Sequence, residues 1–592
     1  MRTALIPVLA FAAVAAHAQQ PSPQPTVLTG SFQALPLEDI DLAIRVLPVR
    51  SQSLVLGSLA DVLKLDPSVD VQEWAPAGVQ AGVSIRGAGF SRTLVLWNGL
   101  RLNSVQSARF DMGLPAPLDA VSKVEVLRGA ASALYGSDAE GGVVNVISEP
   151  PPGDEFRLRT AMGNQGINQQ AASAAFGGRR FSEQLSFARD FSSGFQPDRD
   201  YRNLQFASST RLETKLGTTG IAAAYTDHPF GAAEFYGAPN SWEDSKTWFA
   251  GLQQQIGGPT TASVGFRRHS DLFVLDRDQP GTSAAHNADE TLQLGLRRGQ
   301  ELSASATLFY GVETLHESVA GSLGRHSRTR EAVYGAFVLR VPKRFFLSIS
   351  TREEIYGSLS SALAPAVSGA LWLSPKLKLR ASGSRAFRIA NYSELYEQSP
   401  VALGSPGLLP ERSWTYEAGR DWVPSSKVRG DLTLFQRRLQ DGIDYYRATP
   451  ADLWRAMNLP NLTFTGVEAA LHVAPARWQS FDFRYTWLEG LQSTLPMSAT
   501  LYSANYAANS AVATWQANPK GNFILRTRLG LADRRTRDAY ALWDLYLALS
   551  RGKVHPFLQF SNLANTSYQE VLGVAMPGRT VIGGVDLVFR KR

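Results

Sequence analysis

From Phe156 to its C-terminus the chain repeats segments in which every second residue is apolar or aromatic. Examples are LKLRASGSRAF from Leu377, WQSFDFRYTW from Trp478 and TVIGGVDLVF from Thr580. The segments are about ten residues long and recur about every 20 residues, with turn-rich stretches such as VPSSK and NPKGN between them. This repetition is typical of a transmembrane β-barrel, although each segment alone is a weak signal.

The length of the repeating region predicts the size of such a barrel. At about 20 residues for a strand and its share of the connections, residues 153–592 supply about 22 strands. Aromatic residues near strand ends fit interfacial girdles, and ordinary β-sandwich packing is the alternative reading. These aromatics are Trp372, Trp422, Trp478, Trp487 and Trp543.

The N-terminus reads as an export signal. MRTALIPVLAFAAVAAHA has an early arginine, an apolar stretch and an Ala-x-Ala ending, which predicts cleavage near Ala18. No run of about 18 uncharged apolar residues follows it, so a soluble exported protein or a membrane β-barrel remains. We expect residues 1–18 to be a signal peptide and the mature chain to leave the cytoplasm.

Several classes of chemistry are disfavoured by composition. The chain has no cysteine, which removes disulfides, thiolate metal sites and cysteine nucleophiles. HExxH, GxSxG and phosphate-binding glycine motifs are absent, and the eight histidines are scattered. The sequence therefore predicts no enzyme, no cofactor and no nucleic-acid partner.

The region before the barrel has a different sequence pattern. A Pro/Gln linker precedes a mixed stretch in which SLADVLKL has helical spacing and VSIRGAGF, TLVLWNG and SKVEVLRG read as short strands. A barrel of about 22 strands is wide enough to need filling, and this α+β segment suits that role. The predicted fold is a large antiparallel transmembrane β-barrel occluded by an N-terminal α+β plug domain. The predicted segments are signal peptide 1–18, an N-terminal linker segment 19–30, plug 31–152 and barrel 153–592.

Five strings carry a family resemblance. They are TVLTG at Thr26–Gly30, SIRGAGFSRTLVLWNGLRLN at Ser84–Asn103, VSKVEVLRGAASALYGSDAEGGVVNVIS at Val121–Ser148, AFRIANYSELY at Ala386–Tyr396 and NLANTSYQEVLGVAMPGR at Asn562–Arg579. Together they resemble TonB-dependent outer-membrane receptors, in particular the cobalamin and ferric-siderophore receptor branch. The resemblance implies that the mature chain lies in the bacterial outer membrane and carries out energised import of a scarce, bulky ligand. A passive porin or adhesin and an outer-membrane barrel enzyme are the alternatives.

The resemblance also implies a partner and its binding segment. Periplasmic TonB, part of a proton-driven inner-membrane complex, would pull on a box formed by Thr26, Val27, Leu28, Thr29 and Gly30. A mobile, β-prone segment after a flexible linker can add as a strand to a partner's sheet edge. The alternative is that these residues are simply the first strand of the plug. Outer-membrane lipid, lipopolysaccharide and a monomeric state complete the expected environment.

Plug residues that face the barrel are implied in the same way. The family pairs plug arginines with acidic barrel residues, and here these are Arg86 and Arg128, each followed by a glycine. A second group lies where a short helix folds back onto a strand and directs polar groups to a wet lumen. The predicted plug–barrel contacts are Arg86, Gly87, Arg128, Gly129, Tyr135, Gly136, Glu140, Gly141, Gly142 and Asn145.

Ligand contacts are expected on outward plug loops and on one barrel loop. The candidates are Trp74, Gln106, Arg109, Phe110, Phe235 and Tyr236, with plain loop packing as the alternative. Residues 19–152 carry 9 Lys and Arg against 13 Asp and Glu, whereas residues 153–592 carry 49 against 39. Opposite charge suits docking of the plug, and a basic barrel favours an anionic ligand such as a ferric siderophore over cobalamin.

Two features leave open questions. Aspartates at alternate positions could serve calcium or could be solvated loop residues; they are Asp190, Asp198, Asp200, Asp276 and Asp278. Barrels of this kind commonly end on an aromatic residue, yet Arg590, Lys591 and Arg592 follow Phe589. We expect this tail to affect assembly more than fold.

Overall fold

The structure is a computed structural model that describes residues 26–76, 79–107, 116–235, 238–357, 360–492, 500–535 and 537–591. Within these ranges no helix has the length and apolar character needed to cross a membrane. The predicted signal peptide, residues 1–18, lies outside the described residues. So do Arg109, Phe110 and Tyr236.

The N-terminal segment is a small α+β unit. Its main sheet has five strands in the order β3-β8-β9-β6-β7, and the pairs β1-β2 and β4-β5 stand beside it. The strands are β1 Thr26–Val27, β2 Leu35–Pro36, β3 Ile44–Pro48, β4 Val69–Ala75, β5 Gln80–Ile85, β6 Thr93–Trp97, β7 Leu100–Arg101, β8 Lys123–Arg128 and β9 Gly142–Ile147. The helices are α1 Leu59–Leu63 and α2 Ser132–Tyr135, with 3-10 turns at Leu37–Asp39, Arg50–Val55, Phe90–Arg92 and Leu118–Ala120.

Twenty-two antiparallel strands close the C-terminal region into a barrel. The first and last strands form the seam, where Phe156 lies opposite Phe589. The barrel strands are β10 Glu155–Gly163, β11 Asn168–Gly177, β12 Phe181–Ser192, β13 Tyr201–Glu213, β14 Thr218–Gly231, β15 Trp242–Ile256, β16 Thr260–Val274, β17 Ala284–Ser303, β18 Ala306–Gly321, β19 Gly324–Val341, β20 Phe345–Tyr356, β21 Ser360–Ser374, β22 Leu377–Arg388, β24 Glu411–Ser425, β25 Val428–Gln440, β28 Leu462–Ala476, β29 Gln479–Gln492, β30 Ala507–Ala517, β31 Phe523–Arg534, β32 Tyr540–Leu549, β33 Val554–Ser561 and β34 Thr580–Arg590. The predicted barrel with an N-terminal plug is confirmed.

Connections between strands hold the remaining elements. They are α3 Pro280–Ser283, α4 Tyr392–Tyr396, a 3-10 turn at Pro519–Gly521, and the strands β23 Ala402–Leu403, β26 Gly442–Tyr446 and β27 Trp454–Leu459, which form a small sheet of their own. The C-terminal tail continues along the seam, since Arg590 donates to Glu155 at 2.7 Å and the Lys591 amide donates to the Asp154 carbonyl at 3.1 Å.

The two faces of the barrel wall differ in polarity. Along β17, Leu292, Leu294 and Leu296 are exposed on the outside, while Thr291 and Gln293 are buried on the inside. Lipid-facing and lumen-facing residues alternate in this way in outer-membrane barrels, because successive strand residues point to opposite faces. The outer wall is therefore suited to hydrocarbon and the lumen to a polar plug.

The tryptophans predicted to form an aromatic girdle differ in their exposure. Trp422, Trp478 and Trp543 are exposed. Trp372 is different, because it shares the parity of the buried, inward Ala370 and packs with a cluster that includes Val27 of the N-terminal segment. Its position near a strand end did not reveal which face of the wall it occupies.

The two ends of the barrel are unequal. The connections after β17 and β21 span only residues 304–305 and 375–376, whereas the connection after β22 spans residues 389–410. Outer-membrane barrels have short periplasmic turns and longer extracellular loops. The first described residues of the chain approach the short-turn end, where Glu38 pairs with Lys343 at 3.9 Å.

Candidate functional site

The predicted partner-binding box is docked on the plug. The amides of Leu28 and Thr29 and the Thr29 hydroxyl all donate to one oxygen of Glu125, at 2.9, 2.8 and 2.7 Å. The other Glu125 oxygen pairs with Lys123 at 2.9 Å, and the Asn145 amide donates to the Thr29 hydroxyl at 3.0 Å. Thr29 and Glu125 are fully buried. The box is thus held by a carboxylate of the central sheet.

This arrangement differs from the mobile box that the sequence suggests. Thr26 and Val27 form the two-residue strand β1 against β2, and Val27 is buried. Gly30 turns the chain away from the box with a positive φ of 83°. An exposed strand edge is what a β-adding partner needs, so the box must leave Glu125 before such a partner can pair with Thr29.

The plug arginines reach two glutamates of the barrel wall. Arg86 donates to both oxygens of Glu468 on β28, at 2.7 and 3.0 Å, and lies 2.9 Å from Glu417 on β24. Arg128 also forms an ion pair with Glu468, with 3.0 Å between the charged groups. The Arg86 guanidinium stacks on the ring of Phe435, 4.1 Å from its centroid. All four charged side chains are nearly inaccessible. Bidentate bonding to a carboxylate gives such a contact both strength and direction.

The glycines that follow these arginines allow the plug loops to reach the wall. A Cβ on Gly129 would lie 1.9 Å from a carboxylate oxygen of Glu417, and Gly129 has φ of 92°. A Cβ on Gly87 would lie 2.6 Å from Leu488, and its φ is 67°. No other residue fits either position without displacing the wall or straining the backbone.

The stretch after Gly129 folds back as the sequence indicates. Helix α2 ends at Gly136, whose φ is 76°, and Gly142 begins β9. The Tyr135 carbonyl accepts from Arg101, and the Gly141 amide donates to the Arg92 carbonyl at 2.8 Å. These bonds lie within the plug and position Glu140 at the wall.

A chain of buried charges links the plug to an outer loop. Arg92 of the plug donates to both oxygens of Glu411 on β24, at 2.9 and 2.8 Å. Arg388 on β22 bonds the same glutamate and also donates to Glu394 at 2.8 and 3.0 Å. Glu394 lies in α4, where it completes a capping box with Asn391. Plug and outer loop therefore share one ionic network.

Glu140 is the carboxylate in this network whose burial is least compensated. It is fully buried, and neither of its oxygens has a hydrogen-bond partner among the described residues. Its closest cation is Arg437 on β25, at 3.6 Å. Burial, followed by the nearby carboxylate of Glu411, raises the pKa of Glu140 to about 7, against the lowering effect of Arg92 and Arg437.

The ligand candidates Trp74 and Phe235 belong to one aromatic cluster at the outer end. Trp74 lies 5.9 Å from Phe90, and Phe235 lies 6.0 Å from Phe230. Arg199 joins the two sides, because it donates to the Trp74 carbonyl at 2.6 Å and stacks on Phe235 at 4.6 Å. Both candidates are buried, so in this conformation they fasten a barrel loop to the plug.

Gln106 lies apart from that cluster, on the plug loop below α4. The amides of Tyr392 and Ser393 at the start of α4 donate to the carbonyls of Val105 and Gln106, at 3.2 and 2.8 Å. The Gln106 side-chain oxygen is buried and has no hydrogen-bond partner among the described residues. Nearby, His326 stacks on Tyr396 with ring centroids 3.7 Å apart, a pair that the sequence did not single out.

The aspartates considered for calcium bond to other protein groups. Asp198 and Asp200 accept from Arg277 at 3.2 and 2.7 Å, and Asp276 accepts from Asn240 at 2.8 Å. In the part of the chain that the structure describes, no group of three or more His, Cys, Asp or Glu residues could hold a metal ion.

Sequence reasoning missed the acidic half of the interface. Glu125, Glu411, Glu417 and Glu468 are buried or nearly so, and each engages the plug or its box. Inward parity in an alternating barrel strand is the available signal, since Glu468 follows the buried positions Phe464 and Gly466 at steps of two. That parity marks a lumenal carboxylate, but it does not identify its partner.

Comparison with known proteins gives matches along most of the chain. A family model described as "TonB-dependent Receptor Plug Domain" matches residues 50–143, and one described as "TonB dependent receptor-like, beta-barrel" matches residues 152–561. The vitamin B12 transporter BtuB of Photobacterium profundum is 24% identical over 555 residues, covering 88% of each chain. An iron-regulated outer membrane virulence protein of Vibrio cholerae is 23% identical over 556 residues, covering 84% of this chain and 82% of the other.

A solved structure shares the fold. A mutant of the ferric enterobactin receptor PfeA from Pseudomonas aeruginosa matches with a TM-score of 0.76 at 15% identity, covering 92% of this chain and 98% of that one. At this identity the match shows the fold alone.

The buried ion pairs predict a large effect of removing Arg86. Arg86→Met leaves Glu468 and Glu417 underpaired in a dry interface, and the docked plug should lose about 3–5 kcal/mol. Hydrogen exchange of plug peptides in the detergent-solubilised protein should accelerate. The double variant Arg86→Met/Glu417→Met is the matched control and should be less affected, because it removes both members of one pair and leaves Arg128 paired with Glu468. Equal exchange in the parent and in Arg86→Met would show that the pair does not hold the plug.

Glu140 predicts a pH dependence. Its pKa is raised from 4.5 to about 7, so the docked plug retains a proton that the unfolded chain releases. The contribution of Glu140 to the free energy of unfolding is therefore at its maximum below about pH 4.5, and it falls as the pH rises towards about 7. Glu140→Gln should flatten the plug's unfolding free energy over this interval, measured by denaturant titration, while the exposed Glu149→Gln should not. An unchanged slope in Glu140→Gln would contradict the assignment.

Proposed function

The chain belongs to the TonB-dependent receptors, and from this premise we propose that it imports an iron–siderophore complex or a cobalamin across the bacterial outer membrane. Membership in this family makes it an outer-membrane receptor and not an enzyme, which removes the barrel-enzyme alternative. The observation that carries the proposal is the plug itself, which is fixed in the lumen by buried ion pairs to the wall. A passive porin has no use for such a stopper.

The net charge of the barrel and the names of the similar proteins are two independent indications of the ligand class. The 49 Lys and Arg against 39 Asp and Glu in residues 153–592 favour an anionic ligand such as a ferric siderophore. Relatives named as a vitamin B12 transporter and an iron-regulated protein keep both ligand classes in view. We propose the ferric siderophore as the first choice and assign Trp74, Gln106, Arg109, Phe110, Phe235 and Tyr236 to the ligand side of the plug and loops.

The partner is periplasmic TonB, acting on Thr26–Gly30. The proposal is supported by the position of this segment near the short-turn end of the barrel and by the small number of hydrogen bonds that hold Leu28 and Thr29 to Glu125 and Asn145. Release of a few hydrogen bonds would free a short strand for pairing with the partner. Signal-peptide cleavage near Ala18 delivers the chain to its membrane.

The outer face of the barrel indicates which lipids surround the protein. Exposed leucines such as Leu292 and Leu294 would meet lipid, and the exposed cations Arg202 and Lys246 would suit lipopolysaccharide phosphates. In the described part of the chain, the β10–β34 seam closes the barrel sheet so that it has no free edge for pairing with another copy, which supports a monomer.

Deletion of residues 26–30 tests energised import. The variant should bind ligand at the cell surface like the parent but should deliver none, because the partner has nothing to pull. Surface binding and intracellular accumulation of radiolabelled vitamin B12 and of iron-labelled enterobactin are measured in the same cells. Parent cells treated with a protonophore are the control and should match the deletion. Unimpaired delivery by the deletion would indicate a passive pore.

Growth of a strain that lacks the whole gene distinguishes the two ligand classes. Because the barrel is basic, we expect slow growth under iron limitation with a siderophore as the iron source, and normal growth with cobalamin as the limiting nutrient. Restoring the full gene should rescue growth, and a gene lacking residues 26–30 should not. The reverse pattern would assign the receptor to cobalamin.

A further inference from the structure

A cavity of about 960 Å³ lies beside the plug at the periplasmic end of the lumen. We call it the side cavity. It lies between the hairpin β6–β7 and the inner wall of β13–β18, with Tyr334 of β19 at its edge. Its lining includes Trp97, Leu100, Phe249 and Gln253. A volume near 1,000 Å³ is at the upper end of the range for small-molecule sites.

We propose that imported ligand leaves the barrel through the side cavity, and that withdrawal of Phe32 widens the mouth of this cavity towards the periplasm. The proposal rests on the proposed function and adds a route to it. The wall of β13–β18 is then the side on which the plug moves, while the opposite side stays fixed.

The contacts between plug and barrel are unevenly distributed. Among the described residues, the ion pairs between plug and barrel are Asp119–Arg157 on β10, Asp39–Arg340 on β19, Glu38–Lys343 after β19, Arg86–Glu417 and Arg92–Glu411 on β24, Glu140–Arg437 on β25, Arg86–Glu468 and Arg128–Glu468 on β28, Asp70–Arg534 on β31, and Lys64–Glu570 after β33. Most of them anchor the plug to the side of β24–β31.

Against β13–β17 the described contacts are hydrogen bonds and packing. Gln253 donates to the Asn98 carbonyl at 2.7 Å, and Trp97 stacks on Phe249 with ring centroids 5.6 Å apart. Leu100 lies against Gly251, where a Cβ would come within 2.6 Å of it. Contacts of this kind separate at lower cost than buried ion pairs, which leave an uncompensated charge when broken. This face is therefore the one that a pull can open.

Phe32 lines the side cavity at its periplasmic edge. Its ring stacks on Tyr334 at 5.3 Å and lies 5.7 Å from Phe309, with the Arg297 guanidinium 5.7 Å above it. Phe32 is almost fully buried and lines the cavity together with its neighbours, residues 31–34. Removing this segment would remove one wall of the cavity.

The position of Phe32 in the chain sets the order of events. It follows Gly30, the last residue of the box, by two positions. An extended chain spans about 3.3–3.6 Å per residue, so a pull on the box reaches Phe32 as soon as the Glu125 contacts are broken. The ion pairs of β24–β31 lie much further along the chain and remain in place.

Reversible tethering tests the route, and the absence of native cysteine makes introduced thiols unique. Phe32→Cys and Tyr334→Cys are bridged by a short bifunctional reagent that a reductant removes. The probe is whichever of labelled vitamin B12 or enterobactin the parent imports. Surface binding should persist, delivery should fall to the level of the 26–30 deletion, and the reductant should restore it. That recovery excludes misfolding as the cause.

The matched control ties the plug to another wall. Ala130→Cys and Ser384→Cys join the plug to β22, where the Ser384 hydroxyl lies 3.5 Å from the Ala130 carbonyl. Bridging this pair should leave delivery unchanged, because the plug is not required to move there. Full delivery by the bridged Phe32/Tyr334 variant would overturn the proposal, as would equal loss in both bridged variants. Failure of the unbridged parent to import either probe would instead contradict the proposed function.

A second measurement reports on the cavity directly. Ser263→Cys places one thiol in the cavity lining. A bulky periplasmic thiol reagent should label it faster in energised cells supplied with the imported probe than in protonophore-treated cells. Adding Phe32→Ala should raise the labelling rate without energy. Equal rates in all three conditions would show that the cavity does not open at Phe32.

Discussion

A bilayer offers the backbone no hydrogen-bond partners, so a chain that crosses it with strands must close them into a ring. Here that requirement is met at the β10–β34 seam, where Glu155–Gly163 pairs with Thr580–Arg590. Closure of 22 strands fixes the width of the lumen, and a lumen of this width admits water unless it is filled. The plug, its polar surface and the buried charges at its edge are consequences of that ring.

Buried ion pairs suit a stopper that must both hold and release. Arg86 and Arg128 converge on Glu468, and Arg92 and Arg388 converge on Glu411. Each carboxylate is satisfied by two cations, so the docked state repays its desolvation, whereas removal of one partner strands a charge. The same groups are well solvated when water enters, and this makes the contact firm in the dry state and separable in the wet one.

The sequence predicts those parts of the molecule that obey a local rule. Alternation along each strand indicated the barrel, because lipid on one side and water on the other impose a period of two, and the length of the repeating region gave the strand number. The pairing of Arg86 with Glu468 spans 382 positions and depends on barrel register, which no local pattern encodes. The prediction for Trp372 was wrong for a related reason. Which face of the wall Trp372 occupies depends on where its strand begins, and the sequence does not mark that residue. The docking of Thr29 on Glu125, 96 positions away, was hidden in the same way.

The strength of the contacts also gives the plug an order of release. Leu28 and Thr29 are held by hydrogen bonds to Glu125 and Asn145, and Phe32 is held by packing against Tyr334 and Phe309. The arginine network lies further along the chain and is anchored to β24–β31. Force applied at the N-terminus therefore meets hydrogen bonds first, then an aromatic contact, and buried charges last. A plug built in this sequence can open along one wall while the other keeps it in the barrel, so that the stopper returns after each cycle.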